Sequence, residues 1–421
     1  MLTLDERINL LRYATQQNEK VMYLYSNNYP DKYGNFNWVI LIGETANLEI
    51  NTHLIDPWNA LSTFIINKKA PLLGTFLTYD LKNSREKLHS SKEDKTGFPL
   101  LACWEPAVII AEKRDGSSFY YGNYEDFLKQ TENLVEKENI LNEISLKPTL
   151  TKEEYLSGFE KIQQALQAGD IYEMNFCQHF SAQINSIDPI SLYKKLNILS
   201  PAPFSGIVKY NNSWLICSSP ERFLKKKGDE LFSQPIKGTI KKFANENENN
   251  VAMQQLKENP KEVNENVMIV DLVRNDLSHF ATKNGVQVIE LCKVYPFATV
   301  NHMISTVKAK LNPDAEPTET LAKAFPMGSM TGVPKIKALE IAEELENFQR
   351  RLYSGSIGYF TNEGDFDFNV VIRSITWNEQ NGYFSLSAGS AITIQANGED
   401  EYNECMLKAE ALFNAIKKEW N

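Results

Sequence analysis

Cysteine is scarce in this 421-residue chain: Cys103, Cys177, Cys217, Cys292 and Cys405 are all there is, scattered, odd in number and without a C-x-x-C pair. That spacing excludes a disulfide scaffold and the usual zinc modules, and predicts small buried hydrophobes in a reducing cytosol. Long apolar runs are missing too. No stretch reaches the roughly 18 to 20 residues of a membrane span, and the opening MLTLDERINLLRYATQQ lacks the apolar core of a secretion signal. The expectation is a soluble, cytoplasmic protein. Positive charge is in deficit, with 44 Lys and Arg against 54 Asp and Glu and a formal net charge of -10. No global basic field draws such a chain to nucleic acid or to anionic lipid, so the expected partners are a small molecule or another protein. What is present is an ordinary globular composition, 42% hydrophobic and 11% aromatic, enough for a large core.

The chain changes character near residue 150. Residues 1–150 alternate aromatic segments with polar turns, as in VMYLYSNNYPDKYGNFNWVILIG and PLLGTFLTYDL, and gather no group of His, Asp, Glu and Lys. This part reads as mixed α and β with no visible chemistry, after a first helix opened by a Thr3 and Glu6 capping box. Residues 151–421 form the second part. Thr151 and Glu154 make a capping box for a helix carrying Tyr155, Phe159, Ile162 and Leu166 on one face, and Gly169 stands where it should stop. IYEMNFCQHFSAQI, PFSGIVKY, SWLICSSPERFLKK and ELFSQPIKGTI read as strands, and Lys242 to Pro260 as a polar loop leading into a helix. Helices return around KEVNENVMIVDLVRNDL, AKAFP to KIKALEIAEELE, and DEYNECMLKAEALFNAIKKEW, with strands LYSGSIGYF, FDFNVVIRSITW and GYFSLSAGSAI between them. The class is α+β, with large antiparallel or mixed sheets covered by helices.

Three constellations carry candidate chemistry. Glu262 and Glu265 are spaced i, i+3 on one helix, and Glu401 and Glu404 are spaced i, i+3 on another. On a solvated face such pairs cost little. If the two helices face each other, four carboxylates bracket an oxygen-only site of the kind Mg²⁺ takes, with no His or Cys to favour zinc. Lys408, at i+4 from Glu404, suits a helix-stabilising pair. The second constellation is Gln-Pro-Ile-Lys237-Gly-Thr239, where a lysine pointing into the core would lose its proton to desolvation and become a nucleophile near neutral pH; the same residues also suit an exposed turn. Glu221 precedes it by sixteen residues, close enough for a hairpin to bring acid and nucleophile together, or else to sit with Arg222 as a surface cluster. The third is a set of glycine-rich turns, GSMTGVPK, YSGSIGY and SAGSAI, which match no nucleotide-phosphate signature but can offer N–H groups to a carboxylate, with Thr331, Tyr353 and Arg373 as nearby donors.

In combination, SPERF, PIKGT, ENVMIVDLVRNDL, GSMTGVPKIKALEI, LYSGSIGYF and EYNECMLKAEAL follow the order and spacing of the chorismate-utilising enzymes, and the stretch from about 151 to 418 resembles that family. The resemblance implies a sandwich of large sheets, residues 1–150 forming the N-terminal part and 151–421 the chorismate-binding catalytic part. It implies Mg²⁺ held over the ring carboxylate by Glu262, Glu265, Glu401 and Glu404. Lysine in PIKGT resembles the branch that makes 4-amino-4-deoxychorismate on the way to para-aminobenzoate and folate, where the anthranilate branch typically has alanine. By that resemblance Lys237 attacks C2 of chorismate, Glu221 protonates the departing C4 hydroxyl, and ammonia then adds at C4. Thr239, His302, Thr331, Tyr353, Arg373, Gly389 and Lys408 correspond to the substrate pocket. Such a lysine is expected to be neutral at rest. Ala391, Met327 and His179 depart from the family pattern. No glutaminase signature is present, so the resemblance implies a separate glutamine amidotransferase subunit or free ammonia. Anthranilate or isochorismate formation, and a silent chorismate-binding or amidotransferase-binding scaffold, are the competing readings.

Overall fold

The computed structural model describes residues 2–66, 68–86, 88–129 and 145–417. Its framework is two large antiparallel sheets. The first runs from the edge strand Gly332–Val333 through Glu173–Gln183, Tyr383–Thr393, Ser374–Asn378, Ser213–Ser219, Phe204–Tyr210, Lys20–Tyr25, Phe36–Ile42 and Val108–Lys113 to Ser118–Tyr121. The second runs from Ile236–Lys241 through Val300–Leu311, Glu230–Gln234, Arg222–Lys227, Phe366–Asn369, Ser356–Thr361, Leu72–Leu77 and Leu101–Glu105 to Ala46–Ile50. Both sheets draw strands from before and after residue 150. Between the sheets lies an apolar layer that includes Met22, Leu41, Phe76, Trp104, Leu215 and Ile357. Helices cover the outer faces, burying Leu11, Leu196 and Leu412 on one side and Leu61, Ile269 and Leu321 on the other. The sandwich with external helices is as the sequence implies. Among the described residues no helix is long and apolar enough to cross a membrane.

Local signals account for the helix ends. Thr3 and Thr151 each exchange hydrogen bonds with the glutamate three residues on, and Gly169, at φ 79°, ends the helix Lys152–Ala168. Each acidic helix is started by an asparagine: Asn259 caps Pro260–Ser278 and Asn397 caps Gly398–Ile416. These caps satisfy first-turn N–H groups and place Glu262 and Glu401 near the positive ends of the helix dipoles. Lys418 to Trp420, expected in the last helix, lie outside the described residues.

Two expected strands are divided. SWLICSSPERFLKK gives Ser213–Ser219 in the first sheet and Arg222–Lys227 in the second, and FDFNVVIRSITW gives Phe366–Asn369 in the second and Ser374–Asn378 in the first. The chain crosses between layers at both places, and the crossings are bonded together: Val370 N–H donates to Glu221 O (3.0 Å) and Ser218 N–H to Arg373 O (3.1 Å). Pro220 cannot donate to a ladder and Arg373 takes a left-handed φ of 49°, so each interrupts its strand. The expected loop Lys242 to Pro260 is mostly the helix Glu246–Glu258, because Asn245 caps it at once.

A buried ion pair fixes the strand Glu173–Gln183 against the GSMTG turn. Arg350 pairs with Glu346 at 2.5 Å and donates to Met330 O (2.7 Å) and Asn175 O (3.0 Å), while Glu346 accepts the Cys177 N–H (3.1 Å). Arg350→Leu leaves Glu346 a buried, unpaired carboxylate, with an expected loss of about 3 to 5 kcal/mol in urea unfolding. A loss below about 1 kcal/mol, the size of an ordinary surface substitution, contradicts this role.

Candidate active site

Lys237 stands on the strand Ile236–Lys241, whose pairing with Val300–Leu311 shifts register between Ile236 and Thr239. Gly238 sits in that irregularity at φ 94°, and a Cβ there would lie 3.1 Å from Glu262 Oε2, so glycine lets the helix Pro260–Ser278 close over the lysine. Lys237 is buried, as the core reading expects, and its Nζ donates to Glu173 Oε1. The expectation of a neutral amine is overturned. Burial alone would lower the lysine pKa, but Glu173, Glu265 and Glu221 together outweigh it and hold the ammonium above its ordinary value.

Glu221 and Arg222 are both buried, which excludes the surface cluster. Arg222 turns away from the lysine to Asp31 (2.5 Å) and Asp367 (2.9 Å). Glu221 lines a small cavity with Ser329, Met327 and Gly328. Burial pushes its carboxyl up to about 7, against the opposing pull of Ser329 and Lys237, so near neutral pH it is poised to give a proton.

A second wall carries a buried guanidinium. Arg373 donates to His302 Nε2 (3.2 Å), and Thr239 Oγ1 lies 2.8 Å from His302 Nδ1. Since the guanidinium only donates, Nε2 accepts and the proton sits on Nδ1. Burial and then Arg373 hold His302 neutral, well below the ordinary histidine value. Among the described residues no carboxylate pairs with Arg373, and burial lowers its pKa to about 10. Lys408 pairs with Glu404 (2.6 Å) and donates to Gly389 O (3.1 Å). Gly389 has no room for a side chain, since a Cβ would meet Asn175 Oδ1 at 2.6 Å. Thr331 is tied through its carbonyl to Asn175 N–H (2.7 Å), and the Tyr353 hydroxyl lies 4.0 Å from Cys177 Sγ, deeper in the same layer.

The two acidic helices do approach each other. Lys261 reaches Glu401 (3.3 Å) and Glu265 (3.9 Å) across the gap. Burial raises Glu262, Glu265 and Glu401, with Glu404 adding to the effect on Glu262 and Glu401; Glu265 is pushed up to about 7. Glu404 alone is held low, where Lys408 outweighs burial. Glu265 Oε1 and Glu401 Oε2 are buried without hydrogen-bond partners. Among the described residues no three His, Cys, Asp or Glu side chains close a metal cage by themselves.

The pattern of the chorismate binding enzymes matches residues 21–414. Aminodeoxychorismate synthase component 1 of Klebsiella aerogenes is 36% identical over 358 residues, covering 82% of this chain and 78% of that protein. The chain belongs to the chorismate binding enzyme family. It is also similar to the chloroplastic aminodeoxychorismate synthase of Arabidopsis thaliana, 40% identical over 275 residues, 65% of this chain and 30% of that longer protein. Among solved structures, anthranilate synthase component I from Streptococcus pneumoniae superposes with a TM-score of 0.79 at 22% identity, covering 91% of this chain and 93% of that one, a likeness of fold.

Two residues of this chorismate binding enzyme lie outside the expected set. Glu173, 1% exposed, is visible in sequence only as a carboxylate inside the strand-like IYEMNF. Ser329, buried and lining the small cavity with Glu221, hides in the GSMTG turn. The departures are absorbed quietly. Met327 packs in the core, Ala391 pairs opposite Asn175 within the sheet, and His179, lowered to about 4 by burial, bonds Ser387 (2.8 Å) and Tyr383 (2.8 Å).

The strained carboxylates give a stability test. The folded chain holds the Glu265 proton more tightly than an unfolded one, so the burden of its charge is absent below the ordinary glutamate value and full above about 7. At mildly alkaline pH, Glu265→Gln is expected to raise the Tm of the metal-free protein by about 2 °C, and to abolish a rise that Mg²⁺ gives the parent. A parent Tm indifferent to Mg²⁺ contradicts the cation reading.

Proposed function

We propose that this chain aminates chorismate at C4 to give 4-amino-4-deoxychorismate, supplying para-aminobenzoate for folate synthesis. The observation that carries the reading is Lys237 of PIKGT, sealed beside Glu173 and within the field of Glu221. The resemblance to aminodeoxychorismate synthase components supports the same choice over anthranilate or isochorismate formation.

Each side chain has a part. Arg373, oriented by neutral His302 and Thr239, holds a substrate carboxylate, with Lys408, Tyr353, Thr331 and the Gly389 backbone completing the pocket. The oxygens of Glu262, Glu265, Glu401 and Glu404 fit Mg²⁺, since Glu265 Oε1 and Glu401 Oε2 are buried and accept no hydrogen bond. When bound, that ion supplies positive charge beside the ring carboxylate. Lys237, as free amine, bonds to C2 while the C4 oxygen leaves with its electron pair and takes the proton of Glu221 as water. Ammonia then adds at C4, its surplus proton returning to Glu221, and the lysine amine departs from C2 with its electron pair, so that one difficult displacement becomes two easier ones. No glutaminase signature stands in the chain, and the bacterial relative's designation as component 1 supports a separate glutamine amidotransferase subunit as the ammonia source.

Purified protein given chorismate, Mg²⁺ and ammonium is expected to form aminodeoxychorismate, identified by mass and by fluorescence after a downstream lyase. A cognate glutaminase component should let glutamine replace ammonium. Lys237→Ala is expected to lose this product on the order of a thousandfold. Anthranilate from the parent protein, or an undiminished Lys237→Ala, refutes the reading.

The acid role of Glu221 fixes a pH limb. Its folded pKa is raised to about 7, so the donor form is lost as pH climbs through that value, and kcat/KM for chorismate should fall about tenfold per unit beyond it. A profile that stays level there removes Glu221 as the acid.

A further inference from the structure

Lys237 must shed a proton before it can attack, yet the pocket holds it as an ammonium. Four groups from three further elements bear on it. Glu173 touches Nζ from the strand Glu173–Gln183, Glu221 lies at the crossing before Arg222–Lys227, and Glu265 and Glu262 come from the helix Pro260–Ser278; Glu404 and Lys408 of the helix Gly398–Ile416 stand behind them. Glu221 is needed as a proton donor and cannot also be the acceptor. Glu265 faces Lys261 across the carboxylate cluster proposed for the cation, and its Oε1 accepts no hydrogen bond. Glu173 is left, and among the described residues it is the only one of these carboxylates in hydrogen-bond contact with the lysine nitrogen. Its second oxygen, Oε2, is buried with no partner, so the carboxyl can take a proton without breaking another bond.

We infer that Glu173 is the general base that converts Lys237 from ammonium to amine inside the closed pocket. The inference rests on the reading of Lys237 as the nucleophile. In the step, one Nζ–H bond breaks and an O–H bond forms on Glu173, turning an ion pair into a neutral amine and a neutral acid. The freed lone pair forms the bond to C2, and the C4 oxygen leaves as water with the proton of Glu221. When the amine is released from C2, Glu173 returns its proton and the ion pair is restored. Net charge in the sealed site is unchanged by the first transfer, so no proton has to cross to solvent while substrate covers the pocket.

The test follows adduct formation with chorismate and Mg²⁺ but no ammonia, quenching the full-length protein and timing the mass added to the Lys237 peptide across pH. On the acid side of about pH 7, where Glu221 keeps its proton, the parent rate is expected to be level. Glu173→Gln is expected to be at least about tenfold slower at neutrality and to lose about tenfold more per unit of acidification, because its proton must leave to solvent. Glu173→Asp should regain the level profile at reduced rate. Infrared difference spectra on adding chorismate should show a new protonated-carboxyl band whose frequency shifts in Glu173→Asp, a measurement that stands even where Glu173→Gln does not fold. An unchanged rate and profile in Glu173→Gln, a faster acid-side rate, or no such band overturns the assignment. No adduct on Lys237 of the parent protein overturns instead the nucleophile reading beneath it.

Discussion

The ammonium of Lys237, buried against Glu173 and facing Glu265 and Glu221, is the charge about which the rest of this molecule is arranged. Carboxylates gathered this deeply repel one another and resist ionisation, as the raised values of Glu262, Glu265 and Glu401 record. Lys237, Lys261 and Lys408 offset that repulsion from three directions. The same balance makes the site responsive: any charge brought among these groups changes the field on Lys237 and Glu221 at once.

The sandwich exists to hold those groups at fixed places. Glu221 and Arg373 sit where the chain passes from one sheet to the other, and the two crossings are bonded together, so the two side chains cannot drift independently. Asparagine caps set the first turns of both acidic helices. The Glu346–Arg350 pair locks the strand that begins with Glu173 to the GSMTG turn. Rigid elements position these groups, which is what the proposed covalent catalysis by a single amine requires.

Local order was legible from the chain. Thr151, Glu154 and Gly169 declare a helix and its ends, and the i, i+3 glutamates announce two acidic faces, because capping and helical spacing are short-range properties. The split of SWLICSSPERFLKK between two sheets was not legible, since a period of two says that a segment is a strand but not which sheet it joins. Glu173 escaped for a similar reason: its partner lies 64 residues away, brought there by the pairing of distant strands. The charge state of Lys237 was read in the wrong direction because burial was visible in the sequence and Glu173 was not. The six motifs identify the family, while the interaction that governs its lysine here is a long-range one.

The most direct measurement is of that lysine itself. Nitrogen NMR of ¹⁵N-lysine-labelled protein, with the Lys237 signal assigned by Lys237→Ala, follows its protonation against pH in the absence of substrate. The account predicts an ammonium that stays charged past the ordinary lysine value of about 10.4, held there chiefly by Glu173. An amine already neutral near pH 7 would contradict it.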